Sequence, residues 1–158
     1  MSFVSARSLG NHGQERFLDI VREVGLEYKK NSHKKVKELA KWDISIGAIT
    51  FEIKTDIRHK QTGNIAVEIY NPKTRKLSGV FTSEADYWVY VLEDIWTIKR
   101  PQLLELALFE QGRVIRAIGN GRGNASVKLF SKEVLHDHFS RLTPDSLRGI
   151  IKTKRASA

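Results

Sequence analysis

"KWDISIGAITFEIKTD", residues 41–56, is the stretch on which the fold turns. Apolar and polar residues alternate on both sides of Gly47-Ala48, the pattern of two half-buried strands. Glycine in the first central position suits a two-residue type II′ turn. That turn sets Ile46 opposite Ile49, Ser45 opposite Thr50, Ile44 opposite Phe51 and Asp43 opposite Glu52. Side chains alternate along a strand. Trp42, Ile44, Ile46, Ile49, Phe51 and Ile53 are therefore expected on one apolar, buried face, and Asp43, Ser45, Thr50, Glu52 and Lys54 on the other. Directly opposed residues have Cβ atoms about 4.5–5.5 Å apart, close enough for two carboxylates to repel. A divalent cation between them would turn that repulsion into ligation. A solvated surface hairpin is the plainer reading of the same spacing, and a longer turn would break the register. Aspartate is disfavoured within strands, which counts against a purely structural role.

Working outward, "NHGQERFLDIVREVG" (11–25) places Phe17, Ile20, Val21 and Val24 at helical spacing, with Gly25 able to end the helix. The lysine-rich segment 29–41 follows as a loop or partial helix. Beyond the hairpin, "DIRHKQTGN" (56–64) reads as a polar loop, "IAVEIY" (65–70) as a strand and "NPKTRKLSG" (71–79) as a turn. "TSEADYWVYVL" begins with an N-cap and one helical turn, then runs into an aromatic, β-branched strand; "IWTIKR" is another. Pro101 suits the first turn of a helix reaching about Gln111. "VIRAI" reads as a strand, with helix as the alternative, and "ASVKLF" as a strand; "GNGRGN" (119–124) is a glycine loop. "SKEVLHDHFSRL" reads as a helix capped by Ser131, and the last residues as a short capped helix with a frayed basic end. The order predicts an α/β (α+β) chain with a mixed sheet flanked by helices.

The 158 residues suit one domain over 1–158, with a core at about 10–142 and a basic tail at 152–158. Cysteine is absent, which excludes a disulfide framework and cysteine-based zinc sites. No apolar run is long enough to span a bilayer, and the first residues lack the apolar stretch of a secretory signal. A soluble, cytoplasmic protein without membrane contact is expected. Formal net charge is +9, which favours a polyanionic partner. The excess is uneven. Residues 29–41 hold six lysines and one glutamate, and 73–76 and 152–155 are further basic clusters. Lys34, Lys35, Lys37, Arg58, Lys60 and Arg122 are the candidate nucleic-acid contacts.

Asp43 followed by Glu52-Ile53-Lys54 resembles the PD-(D/E)XK nuclease motif, with Glu15 of "GQERF" where that family places a helical glutamate. The order Glu15, Asp43, Glu52, Lys54, the small size, and the segments "TGNIAVEI" and "SGVFTSEADYWVYVL" are most similar to the archaeal and phage Holliday-junction resolvase branch. The resemblance covers about residues 10–100. The leading Pro-Asp is missing, since Trp42 precedes Asp43. The resemblance implies a restriction-endonuclease-like core and a metal-dependent DNA endonuclease selective for branched DNA. Asp43, Glu52 and the Ile53 backbone carbonyl would ligate Mg²⁺, with Mn²⁺ able to substitute. Lys54 would orient water or stabilise charge, and Glu15 would act through water or at a second metal. Glu68 of "IAVEIY" would join the cluster if its strand flanks that of Glu52. Resolving a junction takes two coordinated cuts, which implies a homodimer.

Other constellations carry less. The five histidines are scattered or diverge, and "GNGRGN" lacks the offsets of a nucleotide fingerprint. Tyr87, Trp88 and Tyr90 are expected in the core rather than stacked on bases. Two other readings stay open: a PD-(D/E)XK nuclease of restriction, homing or repair type that reads sequence or lesions, and a non-catalytic basic nucleic-acid-binding module.

Overall fold

A computed structural model describes residues 6–31, 41–56, 59–118 and 124–157. Helix α1 (Ala6–Val24) leads into β1 (Lys29–Lys30), β2 (Ile44–Ile46), β3 (Ile49–Thr55) and the one-turn helix α2 (His59–Thr62). Strands β4 (Asn64–Asn71) and β5 (Lys76–Leu77) and a 3₁₀ turn (Gly79–Phe81) precede β6 (Tyr87–Val91), β7 (Ile95–Lys99) and α3 (Arg100–Phe109). The chain then forms β8 (Arg113–Ile118), β9 (Asn124–Ser131), α4 (Glu133–His138), β10 (Ser140–Arg141) and α5 (Pro144–Ala156). A six-stranded sheet has the order β1-β2-β3-β6-β7-β10, and a four-stranded sheet the order β5-β4-β9-β8. The six-stranded sheet is mixed: β3 and β6 run parallel while its other pairs are antiparallel. The chain is α+β, as its order of elements predicts.

The hairpin forms in the expected register as far as Ile44, with Ile46 opposite Ile49, Ser45 opposite Thr50 and Ile44 opposite Phe51, but the expected pairing of Asp43 with Glu52 does not form, because Asp43 N bonds to Phe51 O. Gly47 takes φ 59°, which the turn requires of its first central residue. Ile44, Ile46, Ile49, Phe51 and Ile53 pack against Phe17, Leu18 and Val21 of α1 and against Leu147 and Ile151 of α5. The other face of the sheet packs Trp88, Tyr90 and Ile98 against Leu103 and Leu106 of α3 and against Ile65, Val67 and Phe130 of the smaller sheet. Strand β6 is covered on both faces, which explains its unbroken apolar run.

Several expectations are corrected. Trp42 packs in the second core, away from Ile44, because the strand is bulged at Asp43. Helix α1 begins at Ala6 rather than residue 11 and ends as expected at Gly25. There Gly25 N donates to Arg22 O (2.9 Å) and Leu26 N to Val21 O (3.1 Å), a closing pair that needs the positive φ of 76° glycine supplies. The expected helix over 131–142 stops at His138. Phe139 is extended and buried, which lets β10 pair with β7. Lys132, not Ser131, precedes that helix. The basic end is not frayed: α5 is capped by Thr143 through Ser146 and runs to Ala156, so the core reaches Ile151, past residue 142. The loop before β4 contains the turn of α2. Among the described residues no helix is long and apolar enough to cross a membrane.

Candidate functional site

Asp43 ends the pairing of β2 with β3. Its N–H donates to Phe51 O at 2.8 Å, although Phe51 already faces Ile44. Two residues therefore oppose one, which is a bulge, a device that re-aims side chains. The carboxylate lies beside β3, where Oδ2 accepts from Ile53 N at 2.7 Å. Asn31 N donates to the Asp43 carbonyl (2.9 Å), and Asn31 Nδ2 to the Trp42 carbonyl (3.0 Å). Asp43 is 8% exposed, a buried carboxylate that accepts from the Ile53 backbone N–H. Ile53 is gripped on both sides, by Asp43 through its amide and by its pairing with Val89.

Glu52 and Lys54 lie two residues apart on β3 and share the face turned from α1. Lys54 Nζ meets Glu52 Oε1 at 2.7 Å and lies 5.1 Å from the centre of the Trp88 ring. Burial works against the ammonium, but the Glu52 carboxylate outweighs it, helped by Asp43 and Glu68, so the pKa of Lys54 stands above its ordinary value.

Glu68 arrives from the smaller sheet. Strand β4 pairs with β9 and β5 and does not flank β3, so the expected route into the cluster is not the one taken. A register shift between Glu68 and Tyr70 marks a second bulge beside an acid. Ser78 Oγ donates to Glu68 Oε1 at 2.7 Å. Gly79, at φ 57°, packs on the Glu68 backbone so closely that a Cβ there would lie 2.1 Å from the Glu68 carbonyl oxygen. Glu52, Lys54 and Glu68 then line one cavity of about 250 Å³ together with Lys41, Ser83 and Trp88. Lys41 is ion-paired with Glu84. Ser83 Oγ accepts from Trp88 Nε1 and from Ala85 N, both at 3.2 Å, and so fixes the indole beneath Lys54. A larger cavity of about 450 Å³ at the hairpin turn and α5 holds a single acid, Glu27, and none of these groups.

Glu15 stands apart from this cavity. It is on α1, on the other side of the sheet, half-exposed and bonded to Arg22 and Lys30 at 3.1 Å each. Lys30, then Arg22, hold its carboxyl below the ordinary range. Lys60 is exposed on α2. Lys34, Lys35, Lys37, Arg58 and Arg122 lie outside the described residues. Tyr90 and Trp88 are core residues, as expected; burial, with Asp56 and Glu52 nearby, pushes the Tyr90 phenol well up. Lys41, Ser78, Gly79 and Ser83 were not singled out by sequence. Residues 71–79 read only as a turn, and nothing in their spacing names Glu68 as the neighbour of Gly79.

The donors suit a hard divalent cation, because they are carboxylate oxygens. Among the described residues no three His, Asp or Glu side chains are set to hold one metal ion. Magnesium commonly takes one or two protein carboxylates and completes its shell with water and substrate phosphate, and Glu52 with Glu68 or Asp43 are the carboxylates that could supply them. No protein-family model, curated protein or solved structure matches the chain.

Proposed function

We propose that the chain is a metal-dependent endonuclease that hydrolyses DNA phosphodiester bonds, with branched DNA as its substrate and a homodimer as its working form. The observation that carries the reading is the Glu52–Lys54 pair on one strand face, with buried Asp43 beside it and Glu68 across the cavity. The formal charge of +9 supplies attraction for a polyanion. Glu52, with either Glu68 or Asp43 as a second carboxylate, would hold Mg²⁺, and Mn²⁺ would replace it. That ion, when bound, supplies charge neutralisation and an acidified water.

The chain's own groups do the rest. Lys54, set against Glu52 and the Trp88 ring, would present its ammonium as a positive charge to the phosphate. A phosphodiester entering the cavity meets that charge with a non-bridging oxygen. The Trp88 face and Glu52 hold the ammonium in place, so little reorganisation is needed as charge develops. Asp43 is oriented by the Ile53 amide, which fixes where its other oxygen lies relative to β3. Hydrolysis forms one P–O bond to water and breaks one to the sugar.

The preference for branched DNA rests on the resemblance of the order Asp43, Glu52, Lys54 and of the chain's small size to the Holliday-junction resolvases, with Glu15 standing apart from the cavity. The test is incubation with end-labelled four-way junction, matched duplex and single strand in Mg²⁺, Mn²⁺ or EDTA. Paired nicks near the branch, lost in EDTA, support the reading. Equal cutting of plain duplex, or a map that follows sequence or lesions, keeps the nuclease and replaces the substrate. A second reading has an observation in its favour: Glu52, Glu68 and Asp43 each already hold a partner within the chain. It is a basic nucleic-acid-binding module, and it predicts salt-sensitive binding without metal-dependent cutting.

A further inference from the structure

The two sheets end in four edge strands, and three of them are blunted. β1 (Lys29–Lys30), β10 (Ser140–Arg141) and β5 (Lys76–Leu77) are each two residues long and each carries a lysine or arginine. Short, charged edges resist further pairing. The fourth edge is β8 (Arg113–Ile118), six residues long, and among the described residues no strand lies on its outer side. Its outward N–H and C=O groups are a template for another strand.

Apolar surface gathers at the same edge. Among the described residues the exposed large hydrophobics are Leu77, Leu108, Phe109 and Val114, so three of the four fall within residues 108–114. Phe109 is the barest of them, at 80% exposed. The backbone brings the three together. Val114 sits opposite Lys128 in the β8–β9 register, and Lys128 Nζ donates to the Ala107 carbonyl at 3.0 Å, which holds the end of α3 at this part of the sheet. Gly112 keeps the crossing tight, since a Cβ there would lie 2.8 Å from Leu129 O.

We infer that β8 is the surface through which two copies of the chain pair, edge to edge and antiparallel, with Ile115 on the twofold axis. The inference rests on the homodimer of the proposed function and adds its interface. A twofold normal to the sheet keeps every residue on its own face, so only residues of like parity can oppose each other. Within β8, centring on Ile115 pairs residues 113–117 and sets Arg113 opposite Ala117 and Val114 opposite Arg116. Centring on Val114 pairs only 113–115. Centring on Arg116 pairs 114–118 but sets that residue opposite itself, two like charges in register. The longest pairing free of that repulsion is therefore the one about Ile115.

A five-residue edge, about 17 Å long, does not by itself bury the area of about 800 Å² per partner typical of stable interfaces. Leu108, Phe109 and Val114 extend it with apolar surface, and an aromatic side chain is the largest such contribution. An acidic strand from another protein suits the edge less well than a second copy does. It would be drawn to Arg113 but would also meet Glu105, Glu110 and Asp137, which line a cavity of about 320 Å³ with Phe109.

The test is made without DNA or metal, by sedimentation equilibrium over a micromolar concentration series, with folding checked by circular dichroism. Wild type should dimerise. Val114→Lys puts a charge into the edge and should weaken dimerisation at least about 100-fold, about tenfold for each of its two copies in the dimer. The chain has no cysteine, so a single introduced one can cross-link only to another copy. Under mild oxidation Ile115→Cys should form disulfide dimers faster than Arg113→Cys or Val114→Cys, because only a residue on the axis faces itself. A folded Val114→Lys that dimerises like wild type, or cross-linking no faster at 115 than at 113 and 114, overturns the interface. Should Val114→Lys fail to fold, the cysteine series decides alone. A wild type that stays monomeric overturns the interface and the homodimer together, while the cutting assay still judges the nuclease.

Discussion

Gly13 of α1 lies against the strand that carries the site, and replacing it with alanine tests that seam. A Cβ on Gly13 would sit 1.8 Å from Thr55 Oγ1 and 3.0 Å from Thr55 Cβ. The Thr55 hydroxyl is buried there with no hydrogen-bond partner among the described residues. In a free helix interior, Gly→Ala gains about 1 kcal/mol. Here the inserted methyl overpacks a closed contact, which costs about 1–3 kcal/mol. Gly13→Ala alone should therefore be neutral to about 2 kcal/mol destabilising, the difference between those two effects. Thr55→Ala removes an unpartnered buried hydroxyl, relieving about 1–3 kcal/mol, and gives up a methyl of about 0.8 kcal/mol. In the double variant the 1.8 Å contact is gone and only the 3.0 Å approach remains. The helix gain is then recovered, and the two changes should couple favourably by about 1–3 kcal/mol. Thr55→Val keeps a heavy atom at the blocked position and should show no such rescue. Urea unfolding of the wild type, the three single variants and both doubles measures this, provided m stays constant. Gly13→Ala more stable than wild type by the full helix gain, or additivity within about 0.3 kcal/mol, would refute the reasoning.

Asp43→Asn should fold nearly as well as wild type, because an amide oxygen can still accept from Ile53 N, whereas Asp43→Ala orphans that amide and should cost about 1–3 kcal/mol by urea unfolding. Ser83→Ala strands two buried donors, Trp88 Nε1 and Ala85 N, and should cost a similar amount, about 1–3 kcal/mol, with a shifted tryptophan emission. Lys54 has its pKa raised on folding, so the stability it contributes is complete below about pH 10.5 and is lost as pH climbs through the folded value. Lys54→Met should flatten that alkaline limb of the thermal melt. Glu15 has its pKa lowered, so its contribution is present above about pH 4.5 and fades as pH falls through the folded value. Glu15→Gln should flatten the acid limb only slightly, since the group is exposed.

What the sequence revealed and what it hid follow from how far apart the partners are. The hairpin register was legible because Gly47 admits few turns and one-residue slips would expose every isoleucine. Strand β6 was legible from its β-branched and aromatic run. The bulge at Asp43 was not, because an extra residue leaves the alternation looking intact while it turns Trp42 to the other core. The second sheet was hidden for a different reason. Strand β4 finds its partner β9 about sixty residues later, and no local signal encodes that choice. So Glu68 could be suspected, but its approach to Lys54 from a separate sheet could not. Glu15 had a suitable place in the order of acids, but Lys30 and Arg22 hold it on the other side of the sheet.

The central claim is that Glu52 and its neighbours support phosphodiester hydrolysis. The most direct measurement is the initial rate of Mg²⁺-dependent cleavage of a labelled four-way junction by wild type and by Glu52→Gln, with the variant's folding checked by urea unfolding. Wild type should cut, and folded Glu52→Gln should lose at least about 100-fold in rate, the loss typical of removing a charge-stabilising group from an active site. A folded Glu52→Gln that cuts at the wild-type rate would contradict the account.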